Sequence, residues 1–383
     1  MSVTAAKGFQ AAGIAAGIKE SGNPDLALVV NRGPRLAAAG VFTSNRVKAA
    51  PVLWSEQVLK GGLVSAVVLN SGGANACTGP KGFQDTHATA EKVAEVLDLN
   101  AGEVAVASTG LIGVLLPMDK LLPGVETAAG KLSEHGGEKA AIAIKTTDTV
   151  HKTAVYEGDG WTVGGMAKGA GMLAPGLATM LVVLTTDADL DSEVLDKALR
   201  DATRVTFDRV DSDGCMSTND TVLLLASGAS HVTPEYAGFA EAVRSVCDDL
   251  GRQLIGDAEG ASKDIKIEVV NAASEDDAVE VGRSIARNNL LKCALHGEDP
   301  NWGRVLSAIG TTEAAFEPDR LNVAINGVWV CKNGGVGEDR SKVDMRFREV
   351  VITADLAAGT ETATIWTNDL TADYVHENSA YSS

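Results

Sequence analysis

The sequence predicts a mixed α/β protein, and three observations support this fold class. Short β-branched apolar runs, typical of buried strands, alternate with longer segments whose apolar residues recur at helical spacing. The 41 glycines among 383 residues fall between these segments, so they indicate tight turns rather than low-complexity sequence. An apolar fraction of 45% is enough for a sizeable core, and a typical domain size of about 150 residues predicts two or three domains.

The predicted elements follow one another without a linker or an internal repeat. The predicted strands are 26–30, 41–43, 64–69, 103–107, 180–185, 321–325, 350–353 and 362–366. The predicted helices are 83–97, 121–129, 139–144, 194–205 and 236–254. Asp191 is the expected N-cap of the fourth helix, because a short acceptor side chain can bind a free N–H of the first turn. Strand and helix patterns also alternate from 222 to 270, and the last hundred residues are richer in strands.

Charge and cysteine content exclude several classes of protein. With 33 basic and 51 acidic residues the net charge is −18, and such a chain lacks the basic footprint of a nucleic-acid reader. No apolar run approaches the roughly 18 residues that a membrane span needs, and the first residues do not resemble a secretory leader. The five cysteines are scattered and form no CxxC, so neither a disulfide framework nor a zinc site is indicated. We therefore expect a cytoplasmic protein without metal, membrane or nucleic-acid partners.

The sequence does not contain two common ligand-binding motifs in a usable form. No Gly-Lys is followed by Ser or Thr, as a Walker-type phosphate loop requires. Residues 169–174 match the G-x-G-x-x-A dinucleotide pattern, but that pattern must open a helix. Here Pro175 and Gly176 interrupt the segment, and the residues from Met180 onward resemble a strand. The six histidines show no paired spacing typical of metal ligands.

The most informative segment is 164–181, where a Gly- and Pro-containing stretch leads to Thr179 at the head of an apolar strand. One interpretation is an ordinary loop-to-strand turn. In the other, the Ala178–Thr179 bond breaks and Thr179 becomes a new N-terminus. A free α-amine has a reference pKa of roughly 7.7 to 8.0, so it could activate the hydroxyl of its own residue near neutral pH. Spacing alone leaves both interpretations open.

This segment resembles the self-cleaving loop of the ornithine acetyltransferase family of arginine biosynthesis. The family pattern Lys-Gly-Ser/Ala-Gly-Met-Ile/Leu-x-Pro-x-Met/Leu-Ala-Thr fits residues 168–179. The resemblance covers the whole chain, and the further matching motifs are 70–75, 108–113, 146–149, 257–261, 296–304 and 378–383. The departures are small: Ala170 replaces a common serine, Leu177 a common methionine and Ser383 a common terminal threonine.

The resemblance implies a precursor that cleaves itself into an α chain, residues 1–178, and a β chain, residues 179–383. Thr179 would take the acetyl group from N2-acetylornithine, release ornithine and pass the acetyl group to L-glutamate in a ping-pong cycle. Some members of the family also acetylate glutamate from acetyl-CoA, and none of this chemistry needs a cofactor. The α and β chains of the family stay associated as αβ heterodimers, which are expected to assemble into a heterotetramer or a larger complex.

The implied fold has two stacked β-sheets between helical layers, in the manner of the N-terminal-nucleophile hydrolases, and a smaller C-terminal α/β domain. The core domain would span roughly residues 1–265 and contain parts of both chains. The smaller domain would span roughly residues 266–383.

Four site residues before the cleavage point are carried over from the family. Thr109 and Gly110 match the oxyanion hole, although the residues alone would also fit a turn that ends a strand. Lys168 matches a substrate contact whose task would be to hold a carboxylate, and its other interpretation is a solvated charge. Thr146 matches a substrate-contacting threonine, with Thr147 as the alternative if the register is off by one.

Three further site residues follow the cleavage point. Glu259 matches a partner for a substrate ammonium, although glutamate would bring a carboxylate to the same acid. Asn378 and Ser383 match tail positions at which the family contacts substrate. Asn378 offers both donors and an acceptor for this purpose.

Two other classes of protein remain open at this point. An aminopeptidase or amidase would use the same nucleophile but resolve the acyl-enzyme with water. A binding protein descended from the family would remain uncleaved. A transferase that serves a related secondary pathway is also compatible with the sequence.

Overall fold

The computed structural model describes residues 2–172 and 180–380, which fall into two compact units. The first unit contains the residues up to Asp208 together with Cys215–Asp257. The second contains Arg209–Gly214 and the residues from Ala258 onward.

The first unit is built from nine strands and six helices within the described residues. The strands are β1 (Phe9–Ile14), β2 (Leu26–Asn31), β3 (Ala37–Phe42), β4 (Ala66–Ser71), β5 (Val104–Thr109), β6 (Lys152–Glu157), β7 (Thr162–Lys168), β8 (Leu181–Thr186) and β9 (Thr221–Ala226). The helices are α1 (Ala50–Leu59), α2 (Gly79–Leu97), α3 (Met118–Ala129), α4 (Gly137–Ala143), α5 (Ser192–Val205) and α6 (Tyr236–Gly256).

These strands form two sheets that pack face to face. Sheet 1 has the order β1-β2-β4-β5, and sheet 2 has the order β3-β9-β8-β7-β6. A single buried cluster contains side chains of both sheets, among them Val29, Val67, Met166, Val183 and Leu223. Helices α2 and α3 cover the other face of sheet 1, while α5 and α6 contact sheet 2. The expected arrangement of two stacked sheets between helical layers is therefore confirmed.

Burial on both faces explains why several strands of this unit are continuously apolar. Every residue of β2, β4, β5, β8 and β9 is buried, and strands covered on both faces lack the polar alternation of a half-exposed sheet. The Asp191 N-cap is confirmed, since its Oδ1 accepts the Val194 N–H at 3.0 Å.

The glycine-rich segment before Thr179 differs from expectation, because residues 164–168 belong to strand β7 rather than to a loop. At Gly165 an added Cβ would lie 2.8 Å from the Leu184 side chain and 3.1 Å from side chains of Val246 and Leu250. Glycine at this position leaves room for the Leu184 side chain of β8 and for α6, which packs against the strand. The composition suggested a turn, whereas the cause is tertiary packing.

The second unit is a sheet with helices packed against it. Its strands are β10 (Asp264–Ala272), β11 (Asn322–Ile325), β12 (Val328–Lys332), β13 (Gly335–Val336), β14 (Glu349–Asp355) and β15 (Glu361–Asn368), in the order β13-β12-β11-β14-β10-β15. Its helices are α7 (Glu275–Ala286), α8 (Asn289–His296), α9 (Trp302–Ile309) and α10 (Ala372–Ala380). Gly282 lets α7 approach β15, since a Cβ there would lie 2.5 Å from Ile365. None of the helices in the described part of the chain has the length and apolar character required to cross a membrane.

Candidate active site

The turn after β5 holds the first pair of predicted site residues, Thr109 and Gly110. The Thr109 carbonyl accepts the N–H groups of Gly72 and Gly73 at 2.9 and 3.0 Å. Gly110 has φ +130°, and a Cβ there would lie 2.6 Å from the Gly73 nitrogen, so only glycine fits this turn. Among the described residues, no backbone carbonyl accepts the Gly110 N–H. The turn therefore offers a hydroxyl and an N–H next to each other at the end of a strand.

Lys168 lies at the end of β7 and is buried, with only 2% of its surface exposed. Its Nζ donates to Thr146 Oγ1 at 2.8 Å and to Thr109 Oγ1 at 3.3 Å. The structure thus brings together three residues that the family resemblance selected. It also corrects the interpretation of Lys168 as a solvated loop charge.

Asp148 connects the parts of this cluster. Its Oδ1 accepts the Lys152 ammonium and the Gly169 N–H, each at 2.6 Å, and its Oδ2 accepts the Thr146 N–H at 3.0 Å. The Lys168 Nζ is 4.0 Å from the same Oδ2. Burial alone would raise the pKa of Asp148, but the charges of Lys168 and Lys152 outweigh it and hold the pKa at about 2. Asp148 is therefore ionised, and it holds Thr146 by a hydrogen bond and Lys168 by charge.

A second carboxylate fastens the loop that carries Thr146. Lys152 is fully buried, and its Nζ lies 2.6 Å from Asp257 Oδ2 as well as from Asp148. Asp257 also accepts the Thr149 N–H at 3.1 Å and the Thr149 hydroxyl. A buried lysine between two carboxylates is a satisfied arrangement, whereas loss of one partner would leave an uncompensated charge. This network holds residues 146–152 in one conformation.

Glu259 lies in the second unit and is 9% exposed, which corrects its interpretation as a solvated loop acid. It lines a cavity of about 280 Å³ whose other lining residues are Ser212, Asp213, Asn289, Lys292, Asn368, Asp369, Leu370 and Tyr374. Burial and the nearby Asp213 and Glu259 carboxylates raise the pKa of Tyr374. Burial lowers the pKa of Lys292, although neighbouring carboxylates oppose the shift. The cavity lining holds more acidic than basic groups, as a site for an ammonium group requires.

Asn378 lies in α10, where its side chain is exposed and its Nδ2 donates to the Tyr374 carbonyl at 3.0 Å. Tyr374 in turn lines the cavity that contains Glu259. The predicted cleavage residues Ala178 and Thr179 and the predicted contact Ser383 lie outside the described residues. The roles of all four residues remain predictions.

The family model named ArgJ family matches residues 10–383. The chain belongs to the ArgJ family. It is 89% identical to the arginine biosynthesis bifunctional protein ArgJ of Streptomyces avermitilis and 87% identical to that of Streptomyces coelicolor, each over the full length of both chains. Among solved structures it is similar to the ornithine acetyltransferase of Mycobacterium tuberculosis complexed with ornithine. That match has 61% sequence identity and a TM-score of 0.45, and covers 47% of this chain and 96% of the other. The family resemblance seen in the sequence is confirmed.

Sequence reasoning missed the charges that support the site of this ArgJ-family chain. Asp148 lies inside the matching motif 146–149, and a carboxylate between threonine residues could have indicated a site residue. Lys152 gave no such signal, because its second partner Asp257 is 105 positions away. Within residues 2–172 and 180–380, no group of His, Cys, Asp and Glu side chains could hold a metal ion.

Proposed function

We propose that this chain is a self-cleaving acetyltransferase of arginine biosynthesis that moves the acetyl group of N2-acetylornithine to L-glutamate through acetyl-Thr179. One observation carries the proposal in a chain of the ArgJ family. The buried Lys168 ammonium donates to the hydroxyls of both Thr146 and Thr109. A cation that could bind a substrate carboxylate thus lies next to a hydroxyl that could stabilise an oxyanion.

In the first half-reaction, the Thr179 α-amine takes the proton of its own hydroxyl while Oγ1 attacks the acetyl carbon of N2-acetylornithine. The carbonyl oxygen becomes an oxyanion, which the Thr109 hydroxyl and the Gly110 N–H stabilise by donating hydrogen bonds. Collapse breaks the bond between the acetyl carbon and the ornithine nitrogen. That nitrogen receives the proton from the Thr179 ammonium, and ornithine leaves.

The second half-reaction reverses these roles with glutamate. The glutamate amine attacks the acetyl ester on Thr179, and the same two donors stabilise the second oxyanion. Collapse breaks the ester bond, the proton of the attacking amine passes through the Thr179 α-amine to Oγ1, and N-acetylglutamate leaves. Relatives named bifunctional suggest a second acetyl donor, and we propose that acetyl-CoA can acylate the same threonine.

Recognition of the two amino acids follows from their shared and differing charges. Both carry an α-carboxylate, which Lys168 and Thr146 would hold. The side-chain ammonium of ornithine would bind Glu259, whereas the side-chain carboxylate of glutamate needs a cation. Lys292 lines the same cavity as Glu259 and supplies one. Asn378 and Ser383 would complete the substrate contacts.

We also propose that the enzyme acts in the cytoplasm. All five cysteines are free thiols, and two of them, Cys247 and Cys331, are buried. Free thiols fit a reducing compartment.

The proposal is tested by trapping the acyl-enzyme. Purified protein is mixed with N2-acetylornithine without glutamate, quenched in acid, and analysed by intact mass and peptide mapping. We expect one acetyl group on the 179–383 chain, at Thr179, and its discharge as N-acetylglutamate when glutamate is added. Thr179→Ala should acquire no acetyl group.

The same assay separates the competing functions. Sustained ornithine release without glutamate would identify an amidase that uses water. An uncut chain that binds acetylornithine without acquiring an acetyl group would identify a binding protein. An acetyl group at another residue would contradict the covalent route through Thr179.

A further inference from the structure

Asp220 lies just before β9 and is completely buried. Strands β8 and β9 are parallel and in register from Leu181 and Thr221 onward. At their shared start, Asp220 Oδ1 accepts the Met180 N–H at 3.1 Å, and the Thr221 N–H donates to the Met180 carbonyl at 3.1 Å. Met180 directly follows Thr179 in the sequence, so Asp220 holds the first described residue after the predicted nucleophile.

The second oxygen of Asp220 shows that this carboxyl group is unusual. Oδ2 is buried and has no hydrogen-bond partner among the described residues. Burial raises the pKa of Asp220 well above its usual value, although the Met180 N–H and the Lys168 charge act to lower it. An unpaired buried charge is far more costly than a buried neutral acid. Burial therefore favours the protonated form of Asp220.

The neighbouring Asn219 binds the other half of the site. It is 3% exposed, and its Nδ2 donates to the Ser108 carbonyl at 2.8 Å and to the Ala74 carbonyl at 2.6 Å. Its Oδ1 accepts the Thr218 hydroxyl at 2.6 Å. Ser108 is the residue before Thr109, so Asn219 reaches from the start of a sheet 2 strand to the oxyanion turn of sheet 1.

We propose that Asn219 and Asp220 are positioning residues that hold the Thr109–Gly110 turn in register with the strand that follows Thr179. The proposal rests on the proposed function, since it assigns the nucleophile to Thr179. Two adjacent residues hold the two catalytic elements, which belong to different sheets. A misplacement of about 1 Å between a nucleophile and the groups that stabilise its product can cost on the order of 100-fold in rate.

The test compares Asn219→Ala and Asp220→Ala with matched controls at the other end of the sheets. Asn31 is also 3% exposed, and its Nδ2 donates to the Arg35 and Ala226 carbonyls at 3.0 Å each. Asp187 is 1% exposed and accepts the N–H groups of Lys7 and Thr162 at 3.0 and 2.7 Å. Asn31→Ala and Asp187→Ala therefore remove similar buried bonds far from the site.

We expect each site variant to slow self-cleavage and to lower kcat for ornithine release by roughly 10- to 100-fold, with KM little changed. The controls should lower the Tm comparably, while the folded protein retains wild-type cleavage and kcat. Wild-type rates in folded Asn219→Ala or Asp220→Ala would overturn the proposal, as would equal loss of rate in the controls. Failure of wild-type protein to transfer acetyl groups would instead refute the proposed function.

Asp220→Asn keeps an oxygen that can accept the Met180 N–H. We expect it to cleave itself and to stay within about threefold of wild-type kcat. If Asp220→Asn were as slow as Asp220→Ala, the acceptor for the Met180 N–H would not explain the loss of rate, and the positioning role of Asp220 would be refuted.

Discussion

The Lys168 ammonium and the Thr109 hydroxyl are 3.3 Å apart, although the residues are 59 positions apart in the sequence and belong to different sheets. In this bond the lysine donates and the hydroxyl oxygen accepts. The Thr109 proton is then directed away from Lys168 and is available to donate elsewhere. This orientation suits the oxyanion role that we propose for Thr109.

Replacing Thr109 with alanine should slow turnover by roughly 10²–10³-fold, the usual effect of removing one oxyanion donor. Thr109→Ser retains the hydroxyl and should remain within about tenfold of wild type. Steady-state rates of ornithine release measure both variants. The oxyanion assignment fails if Thr109→Ala folds and cleaves itself normally yet turns over at the wild-type rate.

Replacing Lys168 with methionine should raise KM for both N2-acetylornithine and glutamate by roughly 10- to 100-fold, because hydrogen bonds to charged groups contribute about 1.5–3 kcal/mol. Both substrates should be affected, since both carry the α-carboxylate. The variant should also lower kcat, because Thr109 loses the donor that orients its hydroxyl. Kinetics with each substrate varied in turn distinguish these effects. A KM change for one substrate alone would assign Lys168 to a side-chain contact instead.

The family resemblance implied the stacked-sheet fold and selected Thr109 and Lys168 as site residues. The sequence did not predict the glycine-rich strand β7. Continuous apolar runs such as 181–186 indicate buried strands directly. Strand β7 was missed because its glycines reflect close packing against residues that are distant in the sequence, with Gly164 facing Ser2 and Gly165 facing Leu184 and helix α6. Asn219 and Asp220 carry no motif, so their contacts with Ser108 and Met180 appear only once the sheets are stacked.

The acid stability of the protein should depend on Asp148. Its pKa falls from 3.8 to about 2 in the folded protein, so its stabilising contribution is present above pH 4 and is lost as the pH falls toward 2. That contribution is on the order of 2 kcal/mol. Asp148→Asn should therefore unfold more easily at neutral pH and lose less stability than wild type between pH 4 and pH 2. Denaturant unfolding at several pH values measures this.

Asp344 provides the control for this prediction. Its pKa is also about 2, mainly because of its side-chain hydrogen bond with Arg346, but its side chain is exposed. Solvent screening makes such exposed ion pairs weak, so Asp344→Asn should hardly change the unfolding curves. Equal acid sensitivity of Asp148→Asn and wild type would contradict the assigned role of Asp148.

Self-cleavage should give fragments 1–178 and 179–383 that do not separate without denaturant. Cleavage at Ala178–Thr179 would put β3 and β7 on one chain and β8 and β9 on the other. Since β3 pairs with β9 and β7 pairs with β8, the two chains would interleave within sheet 2. Gel filtration should show one species, and intact mass should show two chains with Thr179 as an N-terminus. Thr179→Ala should stay uncut. An active wild-type enzyme that remains one uncut chain would refute the cleavage hypothesis.

The chain end should contribute to substrate binding although terminal residues are often dispensable. The start of helix α10 is held by contacts with Gly260, the residue that follows Glu259. The Thr371 hydroxyl donates to the Gly260 carbonyl at 2.6 Å. Gly260 has φ +61°, and a Cβ there would lie 2.2 Å from the Tyr374 nitrogen, so the helix packs directly on this glycine. The start of α10 therefore lies close to the acid-rich cavity.

Deleting residues 378–383 should raise KM for acetylornithine and glutamate while self-cleavage persists, because the bond at Thr179 breaks within its own chain. Asn378→Ala alone should raise KM by up to about tenfold, the value of one hydrogen bond of about 0.5–1.5 kcal/mol. Ser379→Ala is the matched control, since its exposed hydroxyl bonds only to the His376 carbonyl among the described residues. It should leave KM unchanged. If the truncated enzyme kept wild-type KM and kcat for both substrates, Asn378 and Ser383 would have no part in the site. If Ser379→Ala matched Asn378→Ala, the effect would come from the helix as a whole.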